Sequence, residues 1–463
     1  MTKPWPTPNI NPFKRLHVTD GLLINTERWQ LAHEYHLKRQ NVHYQSLNQP
    51  GIVCDLGVCA IESPEDVPSK YRDGRWVQIQ PGIAIDLFGN IIVVPEPIDF
   101  HISSEVIGEE SKLVYLVVSY VDPGRLLRSG SGEIVTETFR IDEKNSPPDD
   151  WEVEICRIFL KPGEVQLSNS VDVFLPDYNQ LDLRYRQKAR SRSQHIIRIA
   201  TINSNDSESN RTFSNLSYLM QSVGSLYPTM QGSDEISQMN LDSNPVADEI
   251  FKYDLLYLPS QNSLSLTSSE LETLKQYLEA GGTLLVETLT KGTKIEELIQ
   301  IKQEISEAIT RISATINAPD SIYQGNEVAE LKQTKYELEI ELTSAESAIE
   351  AKLSDITMFL KNFAQQLGNS LEDLKYLNQN HPLRTQPFLF SALPCVNGQP
   401  IQILTGGGIV FVIGNLSSAW GLDNRLALPR ETIRTAQEMG INILHFAWHR
   451  RHLTQLQGSK RKI

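Results

Sequence analysis

Hydrophobic and polar positions change their period several times along the chain, and each change marks an element. The stretch RLHVTDGLLINTERWQLAHEYHLKRQNVHYQSLNQPGIV, residues 15–53, reads as an amphipathic helix running into a strand. From Gly51 the pattern turns β-rich. WVQIQPGIAIDLFGNIIVV (76–94) reads as two apolar strands joined by a turn at Asp86-Leu87-Phe88-Gly89. KLVYLVVSYV (112–121), EIVTETFRI (133–141) and WEVEICRIFL (151–160) continue the series between polar loops. Residues 51–180 therefore read as an all-β domain behind a docking segment, 1–50, that carries the helix.

The basic stretch DLRYRQKARSRSQ (182–194) marks a boundary. Beyond it the strand-like runs HIIRIATI (195–202), YDLLYLPS (253–260) and TLLVET (283–288) alternate with amphipathic helices, the pattern of a parallel α/β sheet. Thr267, with Glu270 three places on, predicts a capping box, and Gly281-Gly282 the end of that helix.

The period then becomes a heptad. Ile295, Leu298, Lys302, Ile305, Ile309, Ile312 and Ile316 are spaced by threes and fours. A second seam follows through Val328, Leu331, Lys335, Leu338, Leu342, Ala345, Ile349, Lys352, Ile356, Phe359 and Phe363. NAPDSIYQGN separates them, so a short connection forces two antiparallel helices, an arm on the order of 35 Å long. Leu298, Ile305, Ile309, Ile312, Leu338, Leu342 and Ile349 are the expected partner-binding or self-packing seam, and its lysines limit how the arm can pair. The whole is an α+β multidomain chain. A helix and all-β domain precede an α/β domain in two parts, 195–290 and 368–450. The helical hairpin 291–367 is inserted between those parts, and a basic tail, 451–463, follows.

Composition removes several function classes. A chain of 463 residues with 40% hydrophobic and 22% charged residues holds roughly three ordinary domains. A net charge of -14 repels phosphate backbones, so nucleic acid is not an expected partner. The N-terminus has no apolar signal core and no segment is long and apolar enough to span a bilayer, which predicts a cytoplasmic chain. Cys54, Cys59, Cys156 and Cys395 are too scattered for a disulfide framework or a zinc site. His449, Arg450, Arg451 and His452, with Lys460, Arg461 and Lys462, form a basic terminus that either touches an anionic surface or serves only solubility.

Candidate chemistry is sparse. His33, His36 and His43 share a helix, but HEYH lacks the four-residue spacing of the zinc motif, and packing at the edge of a helix face explains them better. No serine sits in a G-x-S-x-G elbow, and the nearest cysteine frame, Gly57-Val58-Cys59-Ala60-Ile61, lacks the second glycine. Cys395 reads as a buried or loop residue. Thr405-Gly406-Gly407-Gly408 has no Walker lysine and reads as a hairpin turn. NLSSAWGLD (415–423) marks the mouth of the α/β domain, either a ligand site or a loop that closes the sheet. No catalytic residue, metal or cofactor is assigned.

Two resemblances join these readings. The opening Asp20-Gly21, the helical Tyr35-His36, the strand from Gly51 and the run Pro81-Gly82, Ala84, Asp86, Gly89 resemble the N-terminal module of proteins encoded with phage-tail-like contractile injection systems. The usual Leu-His-Gly before the strand is Asn48-Gln49-Pro50-Gly51 here. YDLLYLPSQNSLSLTSSELETLKQYLEAGGTLLVET and RETIRTAQEMGINILHFAWHRR are similar to an uncharacterised bacterial domain of the class I glutamine amidotransferase-like superfold. That resemblance implies a flavodoxin-like sheet but not its chemistry. Together they imply a non-catalytic structural subunit of a cyanobacterial-type baseplate, meeting other baseplate, spike or fibre proteins, self-associating, and sitting in a large particle at a thylakoid membrane. An amidase using a nucleophile near Ser417 or Ser418 and a tail-fibre-like adhesive module are the competing readings.

Overall fold

The computed structural model describes residues 11–106, 110–122, 136–163, 165–193, 195–202, 207–239, 241, 249–259, 266–288, 293–317, 326–396, 398–421 and 428–457. The chain forms two compact units that divide between Arg192 and Ser193. It is a mixed α/β protein, with an N-terminal helix and antiparallel sheets in the first unit and a mostly parallel sheet covered by helices in the second.

In the first unit, α1 (Thr26–Leu47) begins at Asn25, whose side chain accepts from the Arg28 N–H at 3.0 Å. Among the described residues nine strands of four residues or more follow: β1 (Gly51–Asp55), β2 (Val58–Ile61), β3 (Trp76–Ile79), β4 (Gly82–Ile85), β5 (Ile91–Val94), β6 (Ile98–His101), β7 (Lys112–Val121), β8 (Thr138–Lys144) and β9 (Glu152–Leu160). They pair antiparallel in the orders β1-β4-β5, β2-β3-β6 and β9-β7-β8, with Leu181–Asp182 on the outer edge of β9. Alternate residues such as Ile79, Ile92, Leu116, Val118, Ile155 and Ile158 fill one core.

The run 76–85 is not the single strand its hydrophobicity suggests. It breaks at Gln80-Pro81, and β3 and β4 belong to different sheets. Pro81 has no ladder donor, and a Cβ on Gly82 would lie 2.4 Å from the Leu56 nitrogen, so the chain crosses here at close backbone contact. Of EIVTETFRI, residues 133–135 lie outside the described residues. The basic stretch after Leu181 stays with this unit: Asn48–Gln49 pairs with Arg190–Ser191, and Lys188 bridges Ile52.

The second unit comprises β10 (Ile199–Ile202), α2 (Ser207–Leu226), β11 (Ser237–Met239), β12 (Leu255–Pro259), α3 (Ser268–Glu279), β13 (Thr283–Thr288), α4 (Lys294–Asn317), α5 (Asn326–Gln366), β14 (Gln402–Gly406), β15 (Ile409–Ile413) and α6 (Arg430–Leu456). The sheet order is β11-β10-β12-β13-β15-β14, with Glu372–Asp373 outermost. From β11 to β15 the pairs are parallel and run 2-1-3-4-5 in chain order; β14 is antiparallel. Successive side chains take opposite faces. Leu255, Tyr257, Leu285, Val410 and Val412 meet α2 and α6, whereas Leu256, Leu258, Leu284, Val286 and Phe411 meet α3 and the last turns of α5.

Local chemistry sets the boundaries. The Thr267 hydroxyl accepts from the Glu270 N–H, and the Glu270 carboxylate accepts from the Thr267 N–H at 2.6 Å, so the capping box closes in both directions. Gly281, at φ 93°, ends α3. The β14–β15 turn is made by Gly407 and Gly408, at φ 59° and 88°.

Candidate functional site

The turn between β4 and β5 is built around Asp86. Its carboxylate accepts from the Phe88 N–H at 2.9 Å, the Asn90 N–H at 2.8 Å and the Asn90 side-chain amide at 2.7 Å. Burial pushes the Asp86 carboxyl up, and those donors pull it back. Gly89 closes the turn at φ 81°, and a Cβ there would lie 2.3 Å from the Asn41 carbonyl of α1. The Asn41 and Asn90 side chains meet at 2.9 Å, and Gln45 donates to the Phe88 carbonyl at 2.5 Å. The turn Phe88–Gly89–Asn90 is thus a seat for the C-terminal half of α1.

That seat holds one stripe of the helix. Leu31, Tyr35, Val42 and Gln45 are half-buried, with Tyr35 edge-on to Phe13 at 6.4 Å. Trp29, His33, His36, His43 and Leu47 fall on the other side and are exposed, and none of the 22 residues of α1 is buried. The histidines therefore do not edge a packed face, as the pattern suggests; they line a free one beside Trp29. No group of three His, Cys, Asp or Glu side chains suited to a metal occurs among the described residues. Asp20 and Gly21 form the turn before α1, closed by the Leu22 N–H on the Thr19 carbonyl at 3.1 Å.

The α4–α5 hairpin is antiparallel: Ile295 and Ile299 lie by Ile349 and Leu353, and Lys302 pairs with Glu346 across the seam at 3.0 Å. Leu298, Ile305, Ile309, Ile312, Leu338 and Leu342 are half-buried, whereas Ala345 and Ile349, nearer the sheet, are buried. Two helices alone cannot cover both sides of a seam, so its outer part stays half-open. The register fails at Lys352, which is exposed, and Ile356, Phe359 and Phe363 leave the seam to pack on the sheet. The last turns of α5 are domain core, and the arm is shorter than its heptads imply.

On the sheet face beneath α2 and α6, the Glu287 carboxylate is fully buried. It accepts from the Tyr257 hydroxyl at 2.9 Å and the Ser417 N–H at 2.9 Å, and also bonds the Ser417 hydroxyl and the Leu416 N–H. Burial pushes the carboxyl up against these donors. Ser417 is buried against this acid, and Ser418 donates to the Asn415 carbonyl at 2.7 Å. The geometry ties the Asn415–Trp420 turn to β13: the Ser417 hydroxyl is held on the Glu287 carboxyl, and the Ser418 hydroxyl on the Asn415 carbonyl. Glu287 and Tyr257 escape pattern reading, although an acid inside TLLVET is the signal that could have found them.

Cys59 lies on β2, not on an elbow, Cys395 is exposed, and burial raises the Cys156 thiol to about 12. Arg450 and Arg451 are not part of a free basic tail, because α6 continues to Leu456. Arg450 donates to the carbonyls of Leu278, Gly282 and Gly407, and Arg451 pairs with Asp254 at 3.6 Å. Lys460, Arg461 and Lys462 lie outside the described residues. Among the described residues no helix is long and apolar enough to cross a membrane.

Comparison with known proteins adds a family and little else. The family model for a domain of unknown function, DUF4159, matches residues 198–448. No curated protein matches. A solved structure titled "Crystal structure of TssK" is similar at 11% identity over 71% of this chain and 68% of that one, with a TM-score of 0.23, too low to carry an argument.

Proposed function

The chain belongs to the family of DUF4159, a domain of unknown function, and from that premise we propose that it is a non-catalytic structural subunit of a contractile, baseplate-like particle in the cytoplasm. One observation carries the proposal: α1 is seated through one stripe and keeps Trp29 and Leu37 exposed, with no residue buried. A helix of this length is marginal in water without tertiary packing, so an unpartnered side is a face for another protein. The resemblance of the Asp20 to Gly89 motif to injection-system proteins names the kind of assembly, and the half-open hairpin seam offers a second contact to neighbouring subunits. The strand order 2-1-3-4-5 supports a flavodoxin-like reading of the second unit. Its Glu287 is used to hold a turn, which supports a scaffold.

Contractile particles purified from the source organism should contain the chain at a fixed ratio to their core proteins. Trp29→Asp combined with Leu37→Asp should leave the chain folded by circular dichroism but remove it from the particles. Particles that lack the wild-type chain would overturn the proposal.

A further inference from the structure

Four histidines gather around Trp448 in the second unit. His445, His449 and His452 stand on successive turns of α6, and His195, on the short strand His195–Ile197, stacks on the Trp448 indole with ring centroids 3.3 Å apart. His452 stacks on the same indole at 5.3 Å, and His445 lies 5.7 Å from both Trp448 and His449.

His445 is the inner member. It is 9% exposed and edge-on to Tyr227 at 5.8 Å, and its Nδ1 is buried with no hydrogen-bond partner. A neutral imidazole tolerates that position, whereas an imidazolium, a donor at both nitrogens, would bury a charged N–H with no acceptor. Burial, and after it the neighbouring His449, hold the His445 imidazole below the ordinary histidine value. The folded state therefore binds this proton less tightly than the unfolded chain. Its packing is complete above the ordinary value of about 6.5 and is lost as pH falls through the lower folded one.

The groups that meet this part of α6 from other elements reinforce the effect. Tyr227 follows α2, and His381 meets Phe446 at 5.8 Å beside the short helix Pro382–Thr385, whose Arg384 donates to the Phe390 carbonyl at 3.0 Å. Asp254, the residue before β12, accepts from the Arg198 N–H at 2.9 Å and pairs with Arg451 at 3.6 Å, so its charge is already met. Burial raises the Asp254 carboxyl, and acid removes that charge above the ordinary aspartate value. With Arg450 and Arg451 next to His449, protonation crowds cations onto two turns of one helix. Attraction of charged His195 and His452 to the indole opposes this weakly, because His452 is exposed.

We propose that this imidazole cluster is an acid-sensitive latch: neutral, it lets the C-terminal half of α6 lie on the domain, and protonated, it releases residues 444–456. Leu444 and Ala447 belong to the core that α6 shares with α2 and the sheet, so release exposes apolar surface.

Hydrogen exchange of the full chain, read by mass spectrometry and corrected for the intrinsic pH dependence of exchange, tests the latch. Between pH 7.5 and 5.0, peptides within 444–456 should open at least tenfold more, with peptides of β12 and β13 unchanged. His445→Phe keeps a ring and has no proton to bind, so it should hold that opening within threefold across the range. His449→Gln, at a half-buried position, should move the midpoint by about 0.5 pH toward acid, and it serves where the Phe variant does not fold. A wild-type chain that stays closed throughout the range overturns the proposal, as does a folded His445→Phe chain or a His449→Gln chain that opens as the wild type does. Simultaneous opening of β12 and β13 overturns it too, since that is acid unfolding of the whole domain.

Discussion

Single residues in this chain are tied to turns. Gly89 and Asp86 were legible as a motif, but not as a seat for α1, because a spacing pattern does not say that the Asn41 carbonyl of α1 stands where a Cβ on Gly89 would need room. Glu287 was hidden for a different reason: one acid in a buried strand is read as noise until Tyr257 and Ser417, 30 and 130 residues distant, are seen to donate to it. Its burial holds the carboxyl above the ordinary glutamate value, so the folded state binds the proton more tightly than the unfolded chain. The stability from this group is therefore complete below the ordinary value and is lost as pH rises through the folded one. Glu287→Gln, which cannot ionise and turns an amide toward the Ser417 N–H, should cost about 1–3 kcal/mol at low pH. The melting-temperature gap between wild type and variant should narrow as pH rises from 4.5 to 8. A gap that widens would mean that the donors outweigh burial.

At the scale of elements, local signals were readable wherever one residue satisfies a neighbour. The Thr267 capping box and the glycines after α3 stand where the sequence places them, because caps are closed within a single turn. Boundaries decided at long range were not readable. The break at Pro81 depends on Leu56, in the link between β1 and β2, and the heptads of α5 pass from partner helix to sheet without any change of period. The histidine stripe was misplaced because a helix pattern shows two faces but not which is seated. Burial along the hairpin now grades what a charge costs there. Ile349→Asp, at a buried position near the sheet, should destabilise the second unit by about 3 kcal/mol in urea denaturation, whereas Ile305→Asp, at a half-buried one, should cost about 1–2 kcal/mol. Equal costs would show that the seam is closed evenly along its length.

For the molecule as a whole, the side chains sort into cores that share no residue across the Arg192–Ser193 division. Val77, Ile92, Leu116 and Ile158 belong to the first unit's core, and the faces of the parallel sheet supply those of the second. The shift to basic residues at 182–194 signalled that division, yet those residues form edge pairs rather than a linker, since pairing of Arg190 with Gln49 is invisible in composition. Each unit is within the size range that buries enough apolar surface to fold by itself. Scanning calorimetry of the full chain should then resolve two transitions. Ile79→Asp, placed in the first core, should lower one melting temperature by well over 5 °C and leave the other within about 2 °C. The same split should follow Leu285→Asp in the opposite sense. A single transition that moves as one for both variants would mean that folding of the sheet domain depends on the β module, and the chain would then be one cooperative body rather than a docking module carrying a scaffold.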